Sequence, residues 1–286
     1  MLCRGFLGRP TRTSVDVRQP SPPLLQGAWT TSACLATRGA AEPATPIMSS
    51  DPRAANLRTA VFTAKDGLAL PYRLFVPPSC SPDKPCGLLL FLHGAGERGA
   101  DNHVQLKNDA LAFVEPGPQA ESPTIVVYPQ CPEAMQWVKA DWKKGSYSLT
   151  NTPVSQPMAA VLELLAWLGA SYAVDPARIL VTGLSMGGYG TWDIVVRQPT
   201  TFAGALALCG GGDPSQAATI RDLPVWAFHG DRDEAVPVRG SRQMIAALRE
   251  AGGSPRYTEA AGHGHDIWTA AYRDPAVVRW LLSQRR

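Results

Sequence analysis

Residues 181–188 read Val-Thr-Gly-Leu-Ser-Met-Gly-Gly, and this stretch decides the fold. It follows a short apolar run that is predicted as a strand, and it opens a predicted helix over 189–197. Gly-x-Ser-x-Gly between a strand and a helix is typical of a nucleophile elbow, a tight turn that exposes the serine hydroxyl. Gly183 and Gly187 lack a Cβ, which lets the strand and the helix approach closely. The alternative is a glycine-rich turn that contains an incidental serine.

The rest of the chain predicts strands that alternate with helices. Residues 57–64 and 68–76 flank Lys-Asp-Gly, a hairpin signal. Later strands are predicted at 87–92, 124–128, 203–208, 224–228 and 256–259. Helices are predicted around 104–114 with Asp101-Asn102 as its cap, after Ser155, at 241–251 and after Asp274. This alternation indicates an α/β class, with a mostly parallel central sheet and helices on both faces.

Residues 1–50 differ in composition from the rest of the chain. They are rich in Arg, Pro, Ser and Thr, and they lack the apolar core of a secretory signal. Three interpretations remain: a presequence, a disordered tail, or an upstream start codon with Met48 as the true initiator. We favour the last two, with a cytoplasmic location. A genuine presequence over 1–47 would instead indicate an organellar or exported protein.

Residues 51–286 are predicted to form one catalytic domain. Only residues 210–223 separate two strands after the elbow helix, which is too short for a cap domain. We therefore expect an open site.

Charge and cysteine content exclude several classes of protein. The net charge is +3, and five arginines against two acids in residues 1–50 leave the remainder neutral. The sequence has no basic stripe of the kind that would indicate a nucleic-acid partner. It also has no apolar run close to the ~20 residues of a membrane span. The six cysteines include no CxxC and no zinc-type spacing, so we expect neither a metal nor a cofactor. Cys80 and Cys86 flank a proline-containing loop and could form a disulfide in an oxidising compartment, but we favour free thiols.

Candidate catalytic side chains follow in the order serine, acid, histidine. A serine hydroxyl becomes an effective nucleophile when a base removes its proton and an acid orients that base. After Ser185 come Asp231 and Asp233 beyond one strand, and His263 and His265 beyond the last strand. These loops meet at the carboxyl edge of a parallel sheet. Asp233 is favoured because the acid must extend past the strand end, whereas position alone leaves both histidines open.

Backbone donors and aromatic side chains complete the expected site. The N–H groups of Ala95 and Met186 are the predicted oxyanion hole, because they lie after a strand and after the nucleophile. His93 and His229 precede glycines at strand ends and are expected to hydrogen-bond loops. Three tryptophans are predicted to line the substrate site, with a core position as the alternative. They are Trp137, Trp142 and Trp268.

Five motifs together resemble one branch of the α/β-hydrolases. They are Leu-His-Gly-Ala-Gly-Glu-Arg-Gly (92–99), Pro-Gln-Cys-Pro (129–132), Gly-Leu-Ser-Met-Gly-Gly-Tyr-Gly-Thr-Trp (183–192), His-Gly-Asp-Arg-Asp (229–233) and Gly-His-Asp-Ile-Trp (264–268). The chain resembles the phospholipase/carboxylesterase and polyhydroxybutyrate-depolymerase-like esterases, within the prolyl oligopeptidase-type superfamily. The motifs span most of the chain after residue 90.

The resemblance implies a serine esterase with an α/β-hydrolase fold and no cap domain. It selects Asp233 as the orienting acid and His265 as the base, with Ser185 as nucleophile. Acyl transfer through an acyl-enzyme on a small-molecule ester would follow, with no metal or cofactor. A serine peptidase of the prolyl oligopeptidase type and a catalytically silent binding module are the alternatives. The physiological ester and the oligomeric state stay open.

Overall fold

A computed structural model describes residues 51–286. The presequence, tail or upstream-start interpretations of residues 1–50 lie outside the described residues, as does the candidate initiator Met48. Within the described part, no helix has the length and apolar character needed to cross a bilayer.

One eight-stranded sheet organises the described chain. Its strands are β1 (Arg58–Thr63), β2 (Ala69–Phe75), β3 (Cys86–Leu92), β4 (Thr124–Pro129), β5 (Val174–Leu184), β6 (Gly204–Leu208), β7 (Val225–Gly230) and β8 (Arg256–Ala260). The strand order is β1-β2-β4-β3-β5-β6-β7-β8. β1 and β2 pair antiparallel, β2 joins β4 antiparallel, and every later pairing is parallel. The predicted mostly parallel sheet is confirmed.

Helices cover both faces of this sheet. They are α1 (Pro52–Ala55), α2 (Pro116–Glu121), α3 (Gln156–Ser171), α4 (Met186–Arg197), α5 (Arg239–Glu250), α6 (Trp268–Arg273) and α7 (Pro275–Leu282). Residues of α3, α4 and α5 share one core cluster, and residues of α1, α6 and α7 share the other. In β3, alternate side chains enter opposite clusters: Leu88 and Leu90 face one, Leu89 and Phe91 the other. A strand buried on both faces explains the continuous apolar run in the sequence.

The predicted helix over 104–114 is wrong. Asp101 does accept hydrogen bonds from the N–H groups of His103 and Val104, at 2.6 and 2.8 Å. The chain then forms only short 3-10 segments, Val104–Leu106 and Ala110–Val114. Asn108 and Asp109 lie between them with φ of 58° and 57°, and two left-handed residues in succession interrupt a right-handed helix.

The connection between β6 and β7 and the cysteine pair Cys80–Cys86 were both subjects of prediction. Between β6 and β7 the described chain contains a 3-10 segment, Pro214–Ile220, and no cap domain enters there. Cys80 and Cys86 form a disulfide with Cα atoms 5.6 Å apart, so the favoured interpretation of free thiols is wrong for this pair. Their loop closes a short connection into β3, the strand that leads to the predicted oxyanion loop.

Candidate active site

Ser185 occupies a strained turn between β5 and α4. Its backbone has φ of 55° and ψ of −116°, a conformation that costs about 1–3 kcal/mol for a residue with a side chain. The surrounding backbone leaves no space for a larger residue at two positions. A Cβ on Gly187 would overlap the carbonyl oxygen of Leu92, and a Cβ on Gly183 would overlap that of Gly187. The predicted close approach of strand and helix is therefore confirmed.

Three loops bring Ser185, His265 and Asp233 into one hydrogen-bonded chain. His265 Nε2 lies 2.8 Å from Ser185 Oγ, and His265 Nδ1 lies 2.7 Å from Asp233 Oδ2. Asp233 follows β7 and His265 follows β8, at the same edge of the sheet as the elbow. The Asp233 side chain is fully buried, whereas the imidazole of His265 is 25% exposed. A histidine bridging a serine and a carboxylate in this way can remove the serine proton.

Asp233 is surrounded by hydrogen-bond donors. Its Oδ1 accepts from the N–H groups of Ala235 and Val236, at 2.9 and 2.8 Å. Its Oδ2 lies 3.1 Å from His229 Nε2, in addition to its contact with His265. Burial alone would raise the pKa of Asp233, but bonds from His229, His265 and Val236 outweigh that and hold the pKa well below its usual range. Asp233 therefore stays a carboxylate.

His229 has a buried network of its own, which the sequence did not reveal. Its Nε2 contacts the Val236 carbonyl at 3.0 Å as well as Asp233, so this nitrogen carries a proton. Its Nδ1 lies 2.8 Å from Ser241 Oγ, which in turn lies 3.1 Å from the Gly210 carbonyl. His229 does bond loop backbone, as expected, but it also contacts the carboxylate of Asp233.

The two neighbours that the sequence left as alternatives lie elsewhere. Asp231 is exposed, and its Oδ1 accepts from the Gly262 N–H at 2.7 Å. His263 is exposed too, with Nδ1 2.9 Å from the Ala261 carbonyl. Both side chains bond the turn beside the site and neither contacts Ser185.

The loop after β3 contains Ala95, the other predicted oxyanion donor. Arg98 Nε donates to the Ala95 carbonyl at 2.8 Å. His93 beneath it is buried, and burial lowers its pKa to about 4. Neutral His93 donates from Nδ1 to the Gly94 carbonyl at 2.6 Å and accepts at Nε2 from the Cys131 N–H at 2.9 Å. Met186, the other predicted donor, is the first residue of α4, where backbone N–H groups have no helical partner.

A cavity of about 280 Å³ opens at Ser185. It is mostly apolar, and its lining includes Ala95, His265 and two of the three predicted tryptophans, Trp142 and Trp268. Trp268 also contacts His265 edge to face, with ring centroids 5.1 Å apart. A cavity of this size accommodates a small acyl or alcohol group.

Trp137, the third predicted tryptophan, lies in the core, and its predicted place in the substrate site is corrected. It is fully buried in the core, and its Nε1 donates to the His93 carbonyl at 3.0 Å. Its ring packs against His93 with centroids 5.2 Å apart. Trp137 therefore supports the loop after β3 from beneath, and it does not line the cavity.

Glu97 is a cavity residue to which the sequence assigned no role. Its carboxyl group lies beside the loop of Ala95, and the residue is 9% exposed. An ideal Cβ on Gly94 would lie 2.8 Å from Leu184 Cδ1, 3.0 Å from Glu97 Oε2 and 3.6 Å from Ser185 Cβ, so the glycine lets Glu97 pack closely beside the elbow. Burial raises the pKa of the Glu97 carboxyl, against smaller opposing effects of Asn108, the Gly94 N–H and Lys107.

Cys209, His229 and Asp233 form the one group of described residues with the chemistry of metal ligands. One ligand atom from each lies within 4.8 Å of the others. The atoms are engaged with protein groups, since Cys209 Sγ lies 3.1 Å from the His265 carbonyl and the other two join the network above. Burial raises the pKa of Cys209 well above its usual range, so the thiol stays protonated. The group is better suited to hydrogen bonding than to holding a cation.

Similarity to known proteins extends over the whole site. The sequence profile of the phospholipase/carboxylesterase family matches residues 79–274, a range that includes Glu97, Ser185, Asp233 and His265. A thermostable esterase of known structure is 37% identical, with a TM-score of 0.77. That alignment covers 82% of this chain and 64% of the esterase.

Curated relatives are more distant. An uncharacterized secreted protein of Arthroderma benhamiae is 24% identical over 235 residues, covering 70% of this chain and 24% of the relative. A bifunctional acetylxylan esterase/xylanase of Neocallimastix patriciarum is 23% identical over 180 residues, covering 61% and 23%. The chain thus spans about a quarter of the length of these two proteins.

Proposed function

Because the chain belongs to the phospholipase/carboxylesterase family, we propose that it hydrolyses carboxylic esters through an acyl-enzyme on Ser185. Its α/β-hydrolase fold and its similarity to a thermostable esterase support this activity. The observation that carries the proposal is the buried relay from Asp233 through His265 to Ser185, with hydrogen bonds of 2.7 and 2.8 Å. This arrangement supplies the base that a serine needs to act as nucleophile.

Acylation is the first step of the proposed reaction. His265 Nε2 takes the proton of Ser185 Oγ while the oxygen forms a bond to the ester carbonyl carbon. Negative charge moves to the carbonyl oxygen, where the N–H groups of Ala95 and Met186 stabilise it. The carboxylate of Asp233 stabilises the imidazolium of His265. His265 then gives its proton to the departing alkoxide as the carbon–oxygen bond breaks, which releases the alcohol and leaves an ester on Ser185.

Deacylation repeats these steps with water as nucleophile. His265 removes a proton from the water as its oxygen attacks the acyl carbon. The same backbone donors stabilise the second tetrahedral intermediate. Collapse returns the proton to Ser185 Oγ and releases the carboxylic acid. The reaction needs no oxidant or reductant, because it transfers only an acyl group and protons and no atom changes its oxidation state.

Ser185→Ala tests this proposal. The variant should keep the fold but lose hydrolysis of p-nitrophenyl butyrate by a factor on the order of 10⁴–10⁶, because loss of a triad member removes nucleophilic catalysis. Release of p-nitrophenol measures kcat/KM, and a fluorophosphonate should add mass to the wild-type protein at Ser185. His263→Ala is the matched control, since the side chain of this neighbour bonds only the Ala261 carbonyl among the described residues. A Ser185→Ala protein with more than a tenth of wild-type activity would refute the proposed nucleophile.

The location of the protein is a separate question. The sequence favoured the cytoplasm, but stable disulfides are rare there and common in oxidising compartments. The Cys80–Cys86 disulfide therefore supports the organellar or exported alternative. Alkylation of the natively produced protein without reductant should leave Cys80 and Cys86 unmodified. Alkylation of both would restore the cytoplasmic interpretation.

A further inference from the structure

The Glu97 carboxyl group lies near the Asn108 side chain and the Gly94 N–H, but one of its two oxygens has no hydrogen-bond partner within the described residues. Oε2 is buried, and no group of residues 51–286 reaches hydrogen-bond geometry with it. Buried polar atoms are hydrogen-bonded in most proteins, and one left alone costs free energy. Glu97 lines the cavity at Ser185, and its Oε2 lies close to Gly94, only 3.0 Å from where a Cβ on that glycine would be. A bound molecule in this cavity is therefore the natural source of the missing donor.

A second residue of the cavity lining also has a buried polar atom without a hydrogen-bond partner. Trp142 also lines the cavity, and its buried Nε1 has no hydrogen-bond partner within the described residues. Glu97 thus offers an acceptor, and the indole of Trp142 offers a donor. Most other lining residues near Ser185 are small or apolar, such as Ala95 and Leu184, and the exception beside Glu97 is the amide of Asn108. Among the polar side chains of this lining, Glu97 and Trp142 are the two with a buried atom that lacks a hydrogen-bond partner within the described residues, and their characters are complementary.

We propose, resting on the esterase function above, that Glu97 binds a hydroxyl group of the substrate, so that preferred substrates are esters with a hydroxyl close to the ester bond. A hydroxyl donates one hydrogen bond and accepts others, which suits both Glu97 and Trp142. An ammonium group has donors only and would leave the Trp142 N–H without an acceptor. It would also lose its hydration in an apolar cavity, which is costly for a charge. A hydroxyl binds the carboxyl in either protonation state.

The position of Glu97 links this recognition to catalysis. Glu97 ends the 3-10 segment Ala95–Glu97, whose first residue is the proposed oxyanion donor. A substrate hydroxyl held by Glu97 would orient the ester against this loop and Ser185. Orientation of this kind contributes to kcat as well as to KM, because it is fully realised only in the reacting geometry. The carboxyl acts as a specificity-determining group and takes no proton from the reacting atoms.

Two matched pairs of esters test the proposal in the acyl and alcohol parts separately. The acyl pair is p-nitrophenyl butyrate and p-nitrophenyl β-hydroxybutyrate; the alcohol pair is ethyl butyrate and hydroxyethyl butyrate, followed by acid release in a pH-stat. The wild-type protein should favour the hydroxylated ester of at least one pair in kcat/KM by about tenfold to hundredfold, the usual effect of a hydrogen bond to a charged group. Glu97→Leu should bring this ratio close to one.

Conservative variants keep the test decisive if Glu97→Leu does not fold. Glu97→Gln keeps an acceptor without the charge and should lower the ratio by about threefold or more. Trp142→Phe removes the indole N–H and should lower it by a similar factor. Glu133→Leu is the matched control, because Glu133 is an exposed glutamate outside the cavity lining, and its ratio should equal that of the wild type.

Each outcome bears on the proposal. Equal wild-type rates within both pairs, or a preference that survives in Glu97→Leu or is unchanged in Glu97→Gln, would overturn it. Faster hydrolysis of p-nitrophenyl β-aminobutyrate than of its hydroxyl counterpart would show that the recognised group is an ammonium. A wild-type protein that hydrolyses none of these esters and resists fluorophosphonate would instead overturn the proposed function itself.

Discussion

Asp233 and Glu97 are both buried carboxyl groups near the elbow serine, but their surroundings are opposite. Asp233 receives hydrogen bonds from two backbone N–H groups and contacts two histidines, and these bring its pKa well below the usual range. One oxygen of Glu97 has no hydrogen-bond partner within residues 51–286, and burial raises the pKa of this carboxyl group. A satisfied network fixes a charge and its orientation, whereas an unsatisfied group is available to a ligand. The two proposed roles follow this difference, with Asp233 orienting the base and Glu97 recognising the substrate.

The largest expected effect separates these two roles. Asp233→Asn should lower kcat/KM for p-nitrophenyl butyrate by a factor on the order of 10⁴, because an amide cannot stabilise the imidazolium of His265 or fix its tautomer. Glu97→Gln should change the rate on the same ester by less than about tenfold, because this ester offers Glu97 no donor. Steady-state kinetics of the two variants on this ester measures the contrast.

The matched control for the aspartate is Asp231→Asn. The side chain of Asp231 is exposed and bonds only the Gly262 N–H among the described residues, so its replacement should change the rate by less than about threefold. If Asp231→Asn is the more damaging variant, then the orienting acid is misassigned. If both aspartate variants retain full activity, the relay to Ser185 does not operate.

Local rules predicted the parts of the site that depend on backbone geometry. Only a tight turn suits Gly-Leu-Ser-Met-Gly, and Gly187 indeed lies against the Leu92 carbonyl. Ser155 caps α3 by accepting from the Met158 N–H at 3.2 Å, as its position before the apolar periodicity indicated. The turn and the cap needed only neighbours in sequence. The order of serine, acid and histidine came from the α/β-hydrolase pattern, and the choice of His265 over His263 came from the family resemblance.

Contacts between distant segments could not be predicted in this way. The capping signal at Asp101-Asn102 suggested a helix over 104–114, but the left-handed residues Asn108 and Asp109 interrupt it, and Asn108 lines the cavity instead. Trp137 is an aromatic residue of the type that often lines substrate sites, yet its position under His93 is set by packing. The role of Glu97 depends on a missing partner, which no sequence pattern expresses. The contact between His229 and Asp233 could not be predicted, because both residues belong to one short motif whose internal geometry is set by the fold.

His229 allows a finer test of what the network around Asp233 contributes. Removing it with His229→Leu takes a donor from a buried carboxylate while keeping an apolar side chain of similar size. We expect kcat/KM on p-nitrophenyl butyrate to fall by about tenfold to hundredfold, the effect of losing one hydrogen bond to a charged group. His229→Gln retains an N–H₂ group that can donate both to Asp233 and to the Val236 carbonyl. The decrease in kcat/KM for His229→Gln should therefore be less than about tenfold.

The pH dependence of kcat/KM distinguishes this role from simple packing. His229 is the strongest of the groups that lower the pKa of Asp233, and burial opposes them. Without His229, burial raises the pKa of Asp233 against less opposition, so the carboxylate takes up a proton earlier as the pH falls. Because protonation of the general base sets the upper part of the acid limb of kcat/KM, protonation of Asp233 should appear as a steeper second decline at lower pH. This second decline should begin at higher pH in His229→Leu than in the wild type, and it should shift less in His229→Gln. A fall in rate with an unchanged acid limb would mean that His229 only fills space behind Asp233, and the satisfied network would then have no part in keeping that carboxylate charged.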